Sequence, residues 1–224
     1  LRGSDPNTLA ELGGLAAAQG EWAIAAEQYR ALTKIEPSKV DWWNSLGYAE
    51  ANLNHLPEAV AALEGYRRLA PNEPNVLDSL GEVNYMNRQF AVAAKLFDEQ
   101  NTRFPRFQNG AGFRKAAFSY YFAGDQKAAD LRFQEWLKRT LGGAQPNVQA
   151  FQRAMWLART KRASAAFELL SQAKAGSAGE GKPVFELYVS MIRFGLEGVR
   201  LDAEALKKLN EELKQPDQRN EFSV

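Results

Sequence analysis

Cysteine is missing altogether from the 224 residues, and histidine occurs once, at His55. The first absence excludes a disulfide framework, a thiolate zinc site, an iron–sulfur cluster and a cysteine nucleophile. The second removes most of the raw material for a histidine-type zinc site or a Ser-His-Asp triad. No apolar run approaches the about 18 residues that a membrane-spanning helix requires. Strands with period-two alternation are also lacking, which takes away the usual α/β catalytic scaffolds. The Gly-rich piece Leu141-Gly142-Gly143 has neither the lysine nor the strand-to-helix context of a phosphate loop. His55 reads as an exposed turn residue between Asn54 and Leu56-Pro57. Carboxylates are plentiful, but nothing singles out a pair held in a concave, desolvated site. The expectation is a non-enzymatic chain with no catalytic residue, no metal and no cofactor.

What is present begins with an average globular composition, 45% hydrophobic and 25% charged, which excludes wholesale disorder. The formal charge of +1 hides an asymmetry: residues 1–100 carry a net −6, residues 101–162 a net +9, and the remainder −2. Blocks of this size steer partners of opposite sign, or else face solvent.

A repeat dominates the first half. Pro37, Pro71 and Pro105 fall 34 residues apart, as do Gly13, Gly47 and Gly81, and Ala25, Ala59 and Ala93. Leu12, Leu46 and Leu80 precede the glycines, and Tyr29, Leu63 and Phe97 lie four residues beyond the alanines. Within the first unit the apolar residues recur at helical spacing, Leu9, Leu12 and Ala16, then Trp22, Ala25, Ala26 and Tyr29, parted by Gln19-Gly20-Glu21. The pattern predicts two amphipathic helices and a tight turn per unit. Glycine and alanine fall where the helices approach, and proline stops each second helix.

The second unit, Trp43-Asn44-Ser45-Leu46-Gly47 through Ala59 and Leu63 to Leu69-Ala70-Pro71, resembles the tetratricopeptide repeat. That resemblance implies an all-α fold, a right-handed superhelical α-solenoid in which stacked units share a core and enclose a concave groove. It covers residues 6–141, in units 6–39, 40–73, 74–107 and 110–141. The fourth is out of phase by two residues, through the loop 104–110, and has Ala116-Ala117 where Leu-Gly is usual. A degenerate helix pair is expected over 146–175, a C-terminal pair over 183–214 with Asp202 as an N-cap, and a polar tail over 215–224. The start at Leu1-Arg2-Gly3-Ser4 reads as an internal boundary, so the expected setting is a larger bacterial signalling or assembly protein, cytoplasmic or periplasmic.

In the tetratricopeptide family the first helix of each unit lines the groove. Carried onto this chain, the resemblance makes Asn44, Tyr48 and Asn52 the contribution of the second unit. The third unit adds Asp78, Glu82 and Tyr85, with Met86 beside them, and the fourth adds Arg114, Phe118 and Tyr121, with Phe122 following. The first unit offers only Asn7, Ala10, Gly14, Ala17 and Ala18, a nearly featureless wall. Asparagine and tyrosine suit a peptide backbone, and large aromatics suit apolar anchors. At their spacing Phe118, Tyr121 and Phe122 also read as packing against a fifth helix pair, since large aromatics at helical spacing are usually core. The family's carboxylate clamp for chaperone tails is absent, its positions holding Ala10, Gly14, Ser45, Asn75 and Ser79. The expected function is a protein-protein interaction scaffold that takes a peptide or partner helix in the groove, acidic flanks meeting Arg114 and Lys115. Two alternatives stay open: nucleic-acid binding through the basic segment 101–162, where Arg and Lys interleave with aromatics, and salt-dependent head-to-tail self-association.

Overall fold

The computed structural model describes residues 5–142, 146–162, 164–166, 168 and 169. Every regular element among them is helical: α1 (Pro6–Gln19), α2 (Trp22–Ile35), α3 (Val40–Asn52), α4 (Leu56–Leu69), α5 (Pro74–Met86), α6 (Phe90–Arg103), a 3-10 turn (Phe107–Gly110), α7 (Ala111–Phe122), α8 (Gln126–Leu141) and α9 (Pro146–Arg159). From α1 to α7 successive helices pack on each other, as in an all-α solenoid. None of the described helices is long and apolar enough to cross a membrane. The expected C-terminal helix pair over 183–214 and the tail over 215–224 lie outside the described residues, as do residues 163, 167 and 170–175 of the degenerate pair.

Local chemistry sets the ends. Asp5 caps α1 by accepting the Thr8 N–H at 2.9 Å. Proline disfavours the helical conformation in the residue before it. Accordingly Glu36, Ala70 and Phe104, which precede the three periodic prolines, leave the helical region, with ψ of 66°, 67° and 62°. Each intra-unit turn bends through one left-handed residue at the same repeat position: Gly20, Asn54, Arg88 and Gly124, with φ of 77°, 61°, 62° and 89°. Gly124 follows Arg88 by 36 residues instead of 34. The extra length sits in the 3-10 turn, where Gln108 and Asn109 also take positive φ.

Packing explains the periodic glycines. A Cβ on Gly47 would stand 2.6 Å from Cγ of Leu63, and one on Gly81 would stand 2.5 Å from Cε1 of Phe97. The close crossing needs both the missing side chain and the large residue opposite. In the fourth unit Ala117 occupies the glycine position and is fully buried, with Ala116 beside it. Each second helix also covers the first helix of the next unit, α2 on α3, α4 on α5 and α6 on α7. Shared cores result: Tyr29, Leu32, Leu46 and Ala49 join the first two units, and Leu63, Tyr66, Leu77 and Leu80 the next pair. Leu12 departs from the expected apolar stripe, standing 48% exposed because nothing described covers that side of α1.

The contacts divide the chain into Leu1–Thr140 and Leu141–Val224. In the second unit Ala154 and Ala166 are buried among Phe151, Met155, Leu157, Ala158 and Leu169.

Candidate functional site

The first helices α3, α5 and α7 carry a connected row of polar side chains. Ser79 on α5 donates to Oδ1 of Asn44 on α3 at 2.8 Å. Tyr48, one turn further along α3, hydrogen-bonds Glu82 and lies 3.4 Å from Oγ of Ser79. Lys115 on α7 closes the row, its Nζ at 2.7 Å from both oxygens of Asp78 and 2.7 Å from Oε1 of Glu82. Gln108 adds a longer bond to Asp78 at 3.3 Å. One cation between two carboxylates leaves this part of the row with a net charge of −1.

Burial has measurable consequences here. Asp78 is 4% exposed, so its carboxylate depends on Lys115 for compensation. Burial pulls the Lys115 ammonium down, but its bonds to Asp78 and Glu82 outweigh that and hold it above the ordinary lysine value. Burial, and then the hydrogen bond to Glu82, push the Tyr48 phenol far above its usual range.

Asn52 donates Nδ2 to the Tyr48 carbonyl of its own helix at 2.8 Å. Asn44 uses its Oδ1 on Ser79. Each amide therefore has its other group to offer, a donor at Asn44 and an acceptor at Asn52, about 12 Å apart along α3.

Beyond the polar row lies an aromatic cluster. Tyr85 meets Phe90 edge-on at 5.3 Å and Phe122 at 6.0 Å, while Phe90 and Phe122 lie 5.2 Å apart. Tyr121 touches Phe122 at 5.2 Å. Phe122 keeps 51% of its surface in solvent, and Met86, next to Tyr85 in the chain, keeps 41%. Phe118 and Tyr121 are half-buried, as is Tyr85. Phe90 went unnoticed in the sequence because it begins a second helix, whereas the groove pattern draws on first helices.

Arg114 is exposed, with its guanidinium 5.4 Å from the Trp136 ring centre. Of the two cations expected to meet acidic flanks, Lys115 is already engaged. Other members of the basic segment are paired as well: Arg103 with Glu99, Arg132 with Asp98 and Arg139 with Glu135. His55 is largely exposed and sits 3.1 Å from the buried Glu50, which also takes an ion pair from Arg30. No cluster of metal-ligating side chains occurs among the described residues.

The fold is shared with solved tetratricopeptide-repeat proteins. Two structures of MamA superpose with a TM-score of 0.54 at 14% identity, one covering 75% of this chain and 89% of its own, the other 91% and 98%. PilF of Pseudomonas aeruginosa also superposes with a TM-score of 0.54, at 15% identity over 92% of this chain and 97% of its own. No family model and no curated protein matches the sequence.

Proposed function

We propose that this chain is a non-enzymatic protein-interaction scaffold that holds a peptide or partner helix along α3, α5 and α7, within a larger bacterial signalling or assembly protein. The observation that carries the reading is the cluster of Tyr85, Phe90, Tyr121 and Phe122, in which the Phe122 ring is half in solvent. Rigid aromatics of this kind are the usual hot spots of protein recognition. An apolar anchor of the ligand docks there, and its backbone meets Asn44 Nδ2 and Asn52 Oδ1.

The polar row acts as a preorganised floor. Tyr48, Ser79, Asp78, Glu82 and Lys115 are bonded to one another, so a ligand need not order them. With a net −1 at the floor, the ligand backbone passes as a neutral or weakly basic segment there. Acidic flanks are confined to the neighbourhood of Arg114.

A displayed random-peptide library selected on the full chain tests the reading. Enriched peptides are expected to share an aromatic or long aliphatic anchor and to lose tenfold or more in affinity on a Tyr85→Ala/Phe122→Ala variant, about 1.4 kcal/mol or more. Peptides that bind both proteins equally would overturn the placement.

A further inference from the structure

The polar row along the first helices does not balance its own charge. Asp78 and Glu82 carry two negative charges, and among the described residues Lys115 is the one cation paired with either, at 2.7 Å from each. The two carboxylates are unequally placed. The Asp78 side chain is 5% exposed and meets Lys115 with both oxygens, whereas that of Glu82 is 35% exposed and gives Lys115 only Oε1. Oε2 of Glu82 accepts from the Tyr48 hydroxyl, a neutral donor whose proton is kept in place by burial and by that bond. The unmatched charge therefore rests on Glu82, where water reaches it. The same repeat position holds Gly14 on α1, Tyr48 on α3 and Phe118 on α7, so the acid belongs to the third unit alone.

Helix geometry ties this charge to the aromatic cluster. Glu82 and Tyr85 are three residues apart on α5, so their side chains share one face about 5–6 Å apart. Tyr85 in turn meets Phe122 at 6.0 Å. A ligand anchored on these rings extends over Glu82 and strips water from its carboxylate. Covering an unmatched charge without a counter-ion is costly, and neutral donors offset that cost only in part. We propose that the occupant of this groove carries a lysine or arginine beside its apolar anchor, the cationic head pairing with Glu82. The proposal rests on the reading of α3, α5 and α7 as a peptide groove and adds the charge of what it takes. The added cation brings the row to neutrality, and its aliphatic stem suits aromatic surroundings. Its spacing from the anchor is two residues in an extended ligand and three or four in a helical one. An acidic residue at that place, or a polyanion such as a nucleic acid, meets repulsion from the same carboxylate.

The test reads the charge of peptides selected from a displayed random library on the full chain. Those that lose affinity on Tyr85→Ala/Phe122→Ala are expected to carry lysine or arginine within about four residues of the anchor. Exchanging that residue of a selected peptide for methionine is expected to weaken binding to the native chain by about tenfold or more in about 0.05 M salt, and by less in about 0.5 M. On Glu82→Gln, whose amide oxygen still accepts from Tyr48, the basic peptide and its methionine version are expected to bind alike. The salt comparison uses the native chain alone, so it decides the matter even if Glu82→Gln folds poorly. Anchored peptides without basic enrichment overturn this proposal and leave the groove reading standing. So does a methionine loss that salt does not reduce, or one of equal size on Glu82→Gln. Selected peptides indifferent to Tyr85→Ala/Phe122→Ala overturn both.

Discussion

Replacing Lys115 with methionine removes the cation that joins α7 to α5 while keeping much of the aliphatic stem. Asp78 would then be left 4% exposed with a single long bond from Gln108 at 3.3 Å. Removing one partner of a fully buried ion pair costs about 3–5 kcal/mol. This site is wetter, because the side chains of Lys115 and Glu82 are 26% and 35% exposed. Solvent screening lowers the expected cost to about 2–3 kcal/mol. Urea unfolding followed at 222 nm would register this as a midpoint lower by about 1–2 M, with the slope unchanged. The companion Asp78→Asn removes the stranded charge, so Lys115→Met/Asp78→Asn should be less destabilised than the sum of the two single variants by about 1 kcal/mol or more. If Lys115→Met costs under about 0.5 kcal/mol, or if the two changes simply add, the polar row is not formed in solution. The proposed floor for a bound peptide would fall with it.

The glycines separate helix propensity from packing. Gly14→Ala, with nothing within 4 Å of the added Cβ, should stabilise by about 0.5–1 kcal/mol, whereas Gly81→Ala should destabilise by about 1–2 kcal/mol because its Cβ meets the Phe97 ring at 2.5 Å; thermal melts of both decide it. Arg88 holds φ 62° where Gly20 and Gly124 hold the same turn, so Arg88→Gly should raise stability by about 0.5–1 kcal/mol in the same assay. Alkaline titration tests the raised groups. Lys115 and Tyr48 both sit above their ordinary values, and Tyr120 is pushed up to about 12 by burial and its bond to Asp98. A raised folded value contributes stability that is complete below the unfolded value and lost as pH climbs through the folded one. Stability should therefore hold to about pH 9 and fall above about pH 10. A flat profile through pH 11 would contradict all three.

The repeat was legible because it is a local pattern: periodic glycine and proline each answer a need that recurs every 34 residues. The fold class, an all-α tetratricopeptide-type solenoid, follows from that periodicity and is the fold observed. The row of polar bonds was not legible, since its partners are 31 to 37 residues apart and meet only once helices of adjacent units are side by side. Lys115 illustrates the difficulty. Its sequence neighbours suggest a free cation in a basic block, and only the register of α7 against α5, shifted by the 3-10 turn, brings it between Asp78 and Glu82. Likewise an apolar stripe identifies Leu12 as a packing residue without saying whether a neighbour exists to pack on it.

Part of the charge asymmetry is taken up by ion pairs within the chain, and one of them can be tested by reversal. Asp98 and Glu99 belong to the acidic first hundred residues, and Arg132 and Arg103 to the basic segment that follows. Arg132 bonds both oxygens of Asp98, at 2.6 and 2.8 Å, while the Tyr120 hydroxyl donates to Asp98 at 2.7 Å. In a solenoid whose unit interfaces are chemically similar, opposite charges on adjacent second helices favour one order of stacking over its misregistered alternatives. Both side chains keep between a fifth and a third of their surface in solvent, so the pair is worth about 1–2 kcal/mol to the fold. Asp98→Arg alone sets a second guanidinium against that of Arg132 across α6 and α8 and should cost about 2–3 kcal/mol, as should Arg132→Asp in reverse. The double reversal restores opposite charges in the same place and should recover at least half of the summed loss in urea unfolding. If it recovers nothing, Asp98 is held chiefly by Tyr120, and the acidic and basic blocks have no part in ordering the units.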